Sequence, residues 1–268
     1  MTIHPTAIVD AGALLGADVQ IGPFCLVGAG VRLGDGVRLM SHVSITGNTV
    51  LGARSVVYPQ AVLGGDGQIR GNDFADARLE IGEDCVLREG VTMNGGSRRG
   101  GGLTRIGARG YFMAYSHVGH DCDVGEGVTF ANSVALGGHC HIGEGVNIGG
   151  LSAVQQFCRV GRGAMIGGIT GVNRDVIPFA MAFGDHAELA GLNLIGLKRR
   201  GLSRTVIHAL RGAFRSIFYG VHGSLSDRAR DAKAKWPAVT EVAELADFIL
   251  ADAKQPLCLA RRRGRDAD

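Results

Sequence analysis

An apolar residue recurs at every sixth position through most of this chain, and this rhythm limits the possible folds more than any other feature. It breaks after residue 63, resumes at residue 81, breaks again after residue 93 and then runs from residue 106 to residue 172. The positions that carry the rhythm are Ile3, Val9, Leu15, Ile21, Val27, Leu33, Leu39, Ile45, Leu51, Val57, Leu63, Ile81, Leu87, Met93, Ile106, Phe112, Val118, Val124, Phe130, Leu136, Ile142, Ile148, Val154, Val160, Ile166 and Val172.

A six-residue period predicts a parallel β-helix built from hexapeptide repeats. Each unit supplies one short strand and one turn, and three units complete a triangular coil of about eighteen residues. One apolar side chain per unit points inward, so the stacked coils share a continuous core. Glycine often follows the inward residue, as at Gly16, Gly22 and Gly28, and we interpret these glycines as tight corners of the coil. They account for much of the count of 44 glycines without a phosphate-binding loop.

The cysteines support the same register. Three of them are one coil apart and are expected to stack as small buried side chains. A metal cluster or a ladder of disulfides is the alternative, but the sequence has no Cys-x-x-Cys pair and no recognisable secretory signal. We therefore predict reduced thiols in a cytoplasmic protein, and no apolar run approaches the ~20 residues of a membrane span. The cysteines at this repeat position are Cys25, Cys85, Cys122, Cys140 and Cys158.

The chain divides into two predicted parts. Residues 1–188 form the β-helix, with loop insertions near 64–78 and 94–105 that we regard as candidate walls of an active cleft. Past Pro178 helical spacing replaces the six-residue rhythm, and residues 189–268 are expected to form a helical subdomain. We predict one helix from a cap at Ser203 to about Gly220, a second after Ser226 and a third from Thr240.

Charge separates these two parts. Residues 189–268 contain 15 Lys and Arg against 8 Asp and Glu, whereas residues 1–188 contain 13 against 17. A basic cluster in the tail favours an anionic partner, either a nucleotide diphosphate or an acidic carrier protein. Nucleic acid is disfavoured, because the tail has no recognised binding motif and few aromatic residues. For the distal arginines a solvated helix face is the alternative. The cluster is Lys198, Arg199, Arg200, Arg204, Arg211 and Arg215, and the distal residues are Arg261, Arg262, Arg263 and Arg265.

Four of the nine histidines lie close together, at positions 117, 120, 139 and 141. One coil of about eighteen residues brings Gly138 beside His120, with the Asp121 carboxylate next to the histidine. A base, a carboxylate and an unhindered backbone N–H are the minimum set for acyl transfer by general-base catalysis. Two alternatives remain open. The histidines are either solvated turn residues or a zinc site like that of hexapeptide-repeat carbonic anhydrases, which the spacing fits poorly.

Several motifs resemble the UDP-N-acetylglucosamine O-acyltransferases that begin lipid A biosynthesis. The resemblance covers nearly the whole chain and implies a left-handed β-helix, a homotrimer with sites between subunits, no cofactor and no metal. It also implies direct transfer of a 3-hydroxyacyl group from acyl carrier protein to the 3-position of a UDP-linked amino sugar. The matching segments are HPTAIV (4–9), IGPFC (21–25), HVGHDC (117–122), GGH (137–139), QFC (156–158), GDHA (184–187) and GLKRRG (196–201).

The resemblance assigns roles to individual residues. His120 is the general base, Asp121 orients it, and Gly138 N–H contacts the oxyanion. Gly168 leaves the acyl groove open, so we expect a longer rather than a medium acyl chain. The residues assigned to substrate binding are Gln68, His117, His139, Gln156, Gly168, His186, Asn193, Arg199 and Arg200.

The chain departs from the family pattern at positions that the resemblance assigns to substrate recognition. Asn94 and Gln155 replace histidines, Ile195 replaces a glutamate, and a family lysine falls near Gly71, beside Arg70. Each lost buried polar contact typically costs ~1–3 kcal/mol. The acceptor is therefore either UDP-N-acetylglucosamine, its 3-amino analogue or another nucleotide sugar. A catalytically silent paralogue and a metal hydratase are the remaining alternatives.

Overall fold

The computed structural model describes residues 1–71 and 77–261 of the chain. Residues 72–76 of the first predicted insertion, and Arg262, Arg263 and Arg265 of the tail, lie outside these ranges. In chain order the strands before the second insertion are β1 (Thr2–Ile3), β2 (Ile8–Val9), β3 (Leu14–Leu15), β4 (Gln20–Ile21), β5 (Leu26–Val27), β6 (Arg32–Leu33), β7 (Arg38–Leu39), β8 (Ser44–Ile45), β9 (Asn48–Leu51), β10 (Val56–Val57), β11 (Val62–Gly65), β12 (Arg78–Ile81), β13 (Val86–Leu87) and β14 (Thr92–Asn94).

The second insertion contains one short 3-10 turn, Arg98–Gly100. The strands that follow it are β15 (Leu103–Ile106), β16 (Tyr111–Phe112), β17 (His117–Val118), β18 (Asp123–Val124), β19 (Thr129–Phe130), β20 (Ala135–Leu136), β21 (His141–Ile142), β22 (Asn147–Ile148), β23 (Ala153–Val154), β24 (Arg159–Val160), β25 (Met165–Ile166), β26 (Gly171–Val172), β27 (Ala180–Phe183) and β28 (Glu188–Leu192).

These strands form the predicted left-handed parallel β-helix, which has three faces. The first face runs from β1 through β4 and every third strand to β25, then β27 and β28; the second runs from β2 to β26; the third runs from β3 to β24. Ile8 pairs with Leu26, one ordinary coil further on. Val56 pairs with Val86 and Val86 with Tyr111, so the coils that contain the two insertions are longer.

The core follows the six-residue rhythm. In most two-residue strands the second side chain is buried and the first is exposed or half-buried, as with Leu26 and Val27, which are 39% and 0% exposed. Ile3, in the first coil, is the exception and is 38% exposed. All six cysteines are free and buried, which confirms the prediction of buried thiols, and burial raises the pKa of Cys158 to about 12.

The glycines that follow the inward residues serve a different purpose from the one predicted. A Cβ added to Gly22 would lie 1.5 Å from the carbonyl oxygen of Met40, in the next coil. The left-handed backbone conformation falls instead two residues later, at Phe24, where φ is 57°. Close stacking of successive coils, rather than a left-handed turn, therefore requires glycine at Gly22.

The C-terminal part begins with strands, which the helical spacing past Pro178 did not predict. Strand β27 continues the first face in parallel with β25, and β28 pairs with β27 antiparallel. Four helices follow: α1 (Leu194–Arg199), α2 (Arg204–Tyr219), α3 (Leu225–Lys235) and α4 (Thr240–Leu250). Ser203 caps α2 as predicted, whereas α3 begins slightly earlier than predicted, from a capping box of Ser224 and Asp227. The division of the chain at residue 188 stays a prediction.

Candidate active site

The turns that lead from the second face to the third carry the predicted catalytic residues. We call residues 119–122, 137–140 and 155–158 the histidine corner. His117 occupies the outward position of β17, and His120 and Asp121 lie in the turn after it. Asp121 has a φ of 58°, a left-handed conformation that aspartate adopts more readily than most residues. The hydroxyl of Thr104 in β15 accepts a hydrogen bond from the Asp121 N–H at 2.8 Å.

His120 and Asp121 form a hydrogen-bonded pair. Nδ1 of His120 lies 2.7 Å from Oδ2 of Asp121, and the two side chains are 12% and 1% exposed. A carboxylate only accepts hydrogen bonds, so in the neutral imidazole Nδ1 carries the proton and Nε2 keeps its lone pair. That is the tautomer that a general base requires.

Gly138 lies beside His120, at the distance of one coil that the sequence predicted. A Cβ at Gly138 would lie 2.4 Å from Nε2 of His120. Any larger residue would therefore displace the imidazole from this position. The N–H of the following residue, His139, donates to the carbonyl of His120 at 2.9 Å, which fixes the two coils relative to each other.

His139 packs against the pair from the next coil. Its ring meets His120 edge-on at 5.0 Å between centroids and stacks on Phe157 at 4.6 Å. Its Nε2 is 3.7 Å from Oδ2 of Asp121. Burial lowers the pKa of His139, and the Asp121 charge only partly opposes this. His139 is therefore predominantly neutral at pH 7 and presents an uncharged ring.

His117 is held by a separate contact. Its Nδ1 lies 2.7 Å from the hydroxyl of Thr92 in β14. Burial and, secondarily, the nearby His120 lower the pKa of His117. His141 does not join this group, because it faces outward on the third face, where its side chain is 61% exposed.

A cleft of about 330 Å³ opens at the histidine corner. It brings together His120 and Gly138 with three residues predicted to bind substrate, and with two of the positions that depart from the family pattern. The lining residues are Gln68, Asn94, His117, Gly119, His120, Leu136, Gly137, Gly138, Val154, Gln155 and Gln156. His186 lies further along the same edge, where its Nδ1 is 3.0 Å from the Asn173 amide.

The remaining predicted residues lie at the other two corners of the same chain. Gly168 is exposed on the turn between the first and second faces. Asn193 caps α1 and donates to the carbonyl of Gly163, at the corner between the third and first faces. Arg200 donates to the carbonyl of Gly145 at that corner, at 2.8 Å, and Arg199 is exposed nearby. One chain therefore does not unite these residues with the cleft.

The positions that depart from the family pattern differ in environment. The Asn94 amide donates to the carbonyl of Asp66 at 2.8 Å and so joins the two insertions, while its Oδ1 is buried and has no hydrogen-bond partner among residues 1–71 and 77–261. Gln155 lies in the wall of the cleft. Ile195 is 65% exposed on α1, and Arg70 and Gly71 are exposed in the first insertion.

One trio of donor groups is close enough to be considered as a metal site. Ligand atoms of His120, Asp121 and His139 lie within 4.8 Å of one another. Their proximity has another explanation, because the hydrogen bond between His120 and Asp121 already engages Nδ1 and one carboxylate oxygen. These residues therefore fit a catalytic pair better than a metal centre.

Sequence reasoning missed Ser97, which contacts both carboxylate oxygens of Asp121. Its N–H donates to Oδ1 at 2.7 Å and its hydroxyl donates to Oδ2 at 2.6 Å. Ser97 lies inside the second insertion, where coil arithmetic does not apply. The sequence offers one signal, a serine before Arg98–Gly100 that is able to cap a turn.

Among the helices of the described ranges, none has the length and apolar character of a membrane span.

Comparison with known proteins agrees with the fold and with the motifs. Residues 175–258 match the family model for domain 2 of UDP-N-acetylglucosamine O-acyltransferase. The acyl-[acyl-carrier-protein]--UDP-N-acetylglucosamine O-acyltransferase of Brucella ovis is 48% identical over 256 residues, which cover 96% of this chain and 92% of that protein.

Solved structures give the same result. LpxA from Acinetobacter baumannii is 36% identical and superposes with a TM-score of 0.92, covering 96% of this chain and 100% of the other. UDP-N-acetylglucosamine O-acyltransferase from Moraxella catarrhalis is 37% identical, with a TM-score of 0.89 and coverage of 96% and 99%. Identity at this level over nearly the full length of both chains, together with the shared β-helix, shows that this chain belongs to the UDP-N-acetylglucosamine O-acyltransferase family.

Proposed function

We propose that this protein transfers a 3-hydroxyacyl chain from acyl carrier protein to the 3-hydroxyl of UDP-N-acetylglucosamine, the first step of lipid A biosynthesis. The observation that carries the proposal is the 2.7 Å contact between His120 and Asp121, with Gly138 packed against the same imidazole. The family relationship supports the same reaction, because the named relatives are O-acyltransferases for this sugar nucleotide.

The proposed mechanism needs no covalent enzyme intermediate. Nε2 of His120 takes the proton from the 3-hydroxyl as the sugar oxygen attacks the thioester carbonyl, and Asp121 stabilises the imidazolium that forms. The Gly138 N–H supports the oxyanion of the tetrahedral intermediate. Collapse of this intermediate breaks the carbon–sulfur bond, and the imidazolium returns its proton to the departing thiolate of the carrier.

The other residues in and around the cleft are proposed to position the substrates. His117 and His139 have lowered pKa values and present neutral imidazoles, which orient polar groups without repelling the protonated His120. Gln68 and Gln156 offer amide donors and acceptors in the lining of the cleft. His186, further along the same edge beside Asn173, is proposed to contact the longer donor molecule.

We further propose that the active enzyme is a homotrimer. Gly168 and the pair Asn193 and Arg200 lie at different corners from His120, so one chain alone does not combine all the residues assigned to substrate binding. Threefold packing of triangular prisms brings one corner of each chain against its neighbours. Sedimentation equilibrium measures the assembly directly, and an active monomer would contradict this part of the proposal.

The acyl carrier protein is proposed to dock on α2. Arg204, Arg211 and Arg215 are exposed at helical spacings that place them on one side of this helix. Carrier proteins are acidic, so this basic surface favours their approach. For the acyl chain itself, exposed Gly168 presents no side chain, and an added Cβ would already touch the carbonyl oxygen of Gly150 at 3.4 Å. A longer chain is therefore expected. The cytoplasmic location stays a prediction.

The direct test offers 3-hydroxyacyl carrier proteins of several chain lengths to the purified protein, with UDP-N-acetylglucosamine or its 3-amino analogue, and identifies the products by mass spectrometry. We expect an ester with the ordinary sugar and a preference for long chains. His120→Ala is expected to lower turnover by at least ~100-fold while the thermal midpoint and assembly stay unchanged. Product with the analogue alone would overturn the ester assignment, and no product with either would overturn the proposed reaction.

A further inference from the structure

We propose that Ser97 is a positioning residue that holds the Asp121 carboxylate in the orientation His120 requires. This inference rests on the proposed function, and it concerns the second insertion, which the proposed mechanism leaves without a role. Ser97 stands immediately before the 3-10 turn Arg98–Gly100 and is 1% exposed.

Ser97 supplies one donor to each oxygen of the Asp121 carboxylate. The backbone N–H donates to Oδ1 at 2.7 Å, and the hydroxyl donates to Oδ2 at 2.6 Å. Oδ2 is also the oxygen that accepts from Nδ1 of His120, at 2.7 Å. The Ser97 hydroxyl accepts at the same time from the Gly100 N–H at 3.2 Å, so its own proton is left for the carboxylate.

This arrangement meets the needs of a buried carboxylate. The Asp121 side chain is 1% exposed, and a buried charge without donors is strongly disfavoured. Two donors on a single residue fix both the position and the rotation of the carboxylate plane. The plane in turn fixes the His120 ring, much as outer partners orient the ligands of a metal site.

The insertion that carries Ser97 is itself anchored to the β-helix. The Gly96 N–H donates to the carbonyl of Arg78 at 3.1 Å, and the Arg78 N–H donates to the carbonyl of Gly102 at 2.8 Å. Gly100 closes tightly over the carboxylate, because an added Cβ there would lie 2.2 Å from Cγ of Asp121. The second insertion is therefore a support for the catalytic pair, in addition to a wall beside the cleft.

Ser97 acts through Asp121 and not on the substrate. The lining of the cleft includes His120 but not Ser97. Loss of the hydroxyl is therefore expected to slow the chemical step and leave substrate binding nearly intact. In such a variant His117 keeps its contact with the Thr92 hydroxyl, and His139 keeps its stacking on Phe157.

The test is steady-state kinetics of Ser97→Ala with the full-length enzyme. We expect kcat to fall about 10- to 100-fold, as for a lost hydrogen bond to a charged group, with KM changed less than about threefold. Ser97→Thr keeps the hydroxyl and is expected to restore most of kcat. Ser97→Cys keeps a side chain at this position, but its thiol is a weak donor. It is expected to lose kcat as Ser97→Ala does, and it tests the proposal if the alanine variant does not fold.

Ser55→Ala is the matched control. Ser55 is 0% exposed, donates to the carbonyl of Gly82 at 3.2 Å and accepts from the Cys85 N–H at 3.1 Å, all outside the cleft lining. Its loss is expected to reduce stability with kcat unchanged. If kcat decreased as much in Ser55→Ala as in Ser97→Ala, the effect of Ser97 on kcat would be explained by loss of stability. That result would overturn the proposal.

A double-mutant cycle with Asp121→Ala separates positioning from structure. If Ser97 acts only through the carboxylate, the hydroxyl has no further effect on kcat once Asp121 is absent. Additive losses would overturn the proposal, as would an unchanged kcat in Ser97→Ala. A different result would contradict the proposed function itself: full acyl transfer by the His120→Ala variant.

Discussion

At the scale of single residues, burial of His117 ties the stability of the site to pH. Burial is the main cause that lowers its pKa, and the same cause lowers the pKa of His139. An imidazole with a lowered folded pKa takes up a proton on unfolding. The free energy of unfolding is therefore unaffected by this group above its unfolded pKa of about 6.5. Below that value the free energy of unfolding decreases as the pH falls.

We therefore predict that the thermal midpoint decreases as the pH is lowered from 6.5 to 5. His117→Gln is expected to make this decrease smaller. The carboxyl groups whose pKa values are lowered, Asp84 and Glu89 among them, contribute only nearer their unfolded values of about 4. Differential scanning calorimetry across this range measures the slope, with His208→Gln on the exposed side of α2 as the control. An unchanged slope in His117→Gln would contradict the prediction.

The same scale shows which site residues a sequence reveals. His120 and Gly138 are one regular coil apart, so the repeat alone predicts that they meet. Ser97 and Asp121 meet across the second insertion, whose length and path no period describes. The Ser97 contact depends on a 3-10 turn and on anchoring to Arg78, and these are set by tertiary structure. Regular coils are therefore predictable from the sequence, whereas the contact between Ser97 and Asp121 is not.

At the scale of the repeat element, two glycines at equivalent positions of successive units differ in what surrounds them. A Cβ at Gly22 would lie 1.5 Å from the carbonyl oxygen of Met40, and a backbone atom has little freedom to move aside. A Cβ at Gly28 would meet Thr46 Cα at 3.5 Å, an ordinary contact. The repeat therefore tolerates a methyl group in one unit and not in its neighbour.

We predict that Gly22→Ala lowers the free energy of unfolding by about 3 kcal/mol, from overpacking against the next coil. Gly28→Ala is expected to change it by less than about 1 kcal/mol, since alanine also restricts the unfolded chain. Thermal melts and limited proteolysis of the first coils compare the two variants. Equal losses in both would show that coil stacking does not decide where glycine is needed.

Helices and strands also differ in how well the local sequence predicts them. The amphipathic pattern of α2 and its Ser203 cap predict this helix closely, because both signals are local. Strands β27 and β28 carry no such signal, since each is stabilised by pairing, with β25 and with one another. Pairing between β27 and β28 is antiparallel, so the six-residue period cannot extend through it.

At the scale of the whole molecule, a buried ion pair joins the last coils to the C-terminal part. Asp175 is 0% exposed and accepts from Nε of Arg159 at 2.7 Å. The Arg159 guanidinium lies over the Phe248 ring of α4, with its carbon 4.3 Å from the ring centroid. The backbone of Asp175 pairs with the returning C-terminal segment, through the carbonyl of Pro256 and the N–H of Cys258, both at 2.8 Å.

We predict that Asp175→Ala costs about 3–5 kcal/mol, because it leaves the Arg159 charge largely buried without its partner. Glu244→Ala breaks the matched pair with Arg162, which also joins the β-helix to α4 but is about one-third exposed. That pair is expected to contribute only about 0–1 kcal/mol. Hydrogen exchange of α4 and the C-terminal segment distinguishes the variants: exchange should accelerate strongly in Asp175→Ala and little in Glu244→Ala. Similar exchange in both would mean that apolar packing, rather than the buried pair, attaches the helical part to the β-helix.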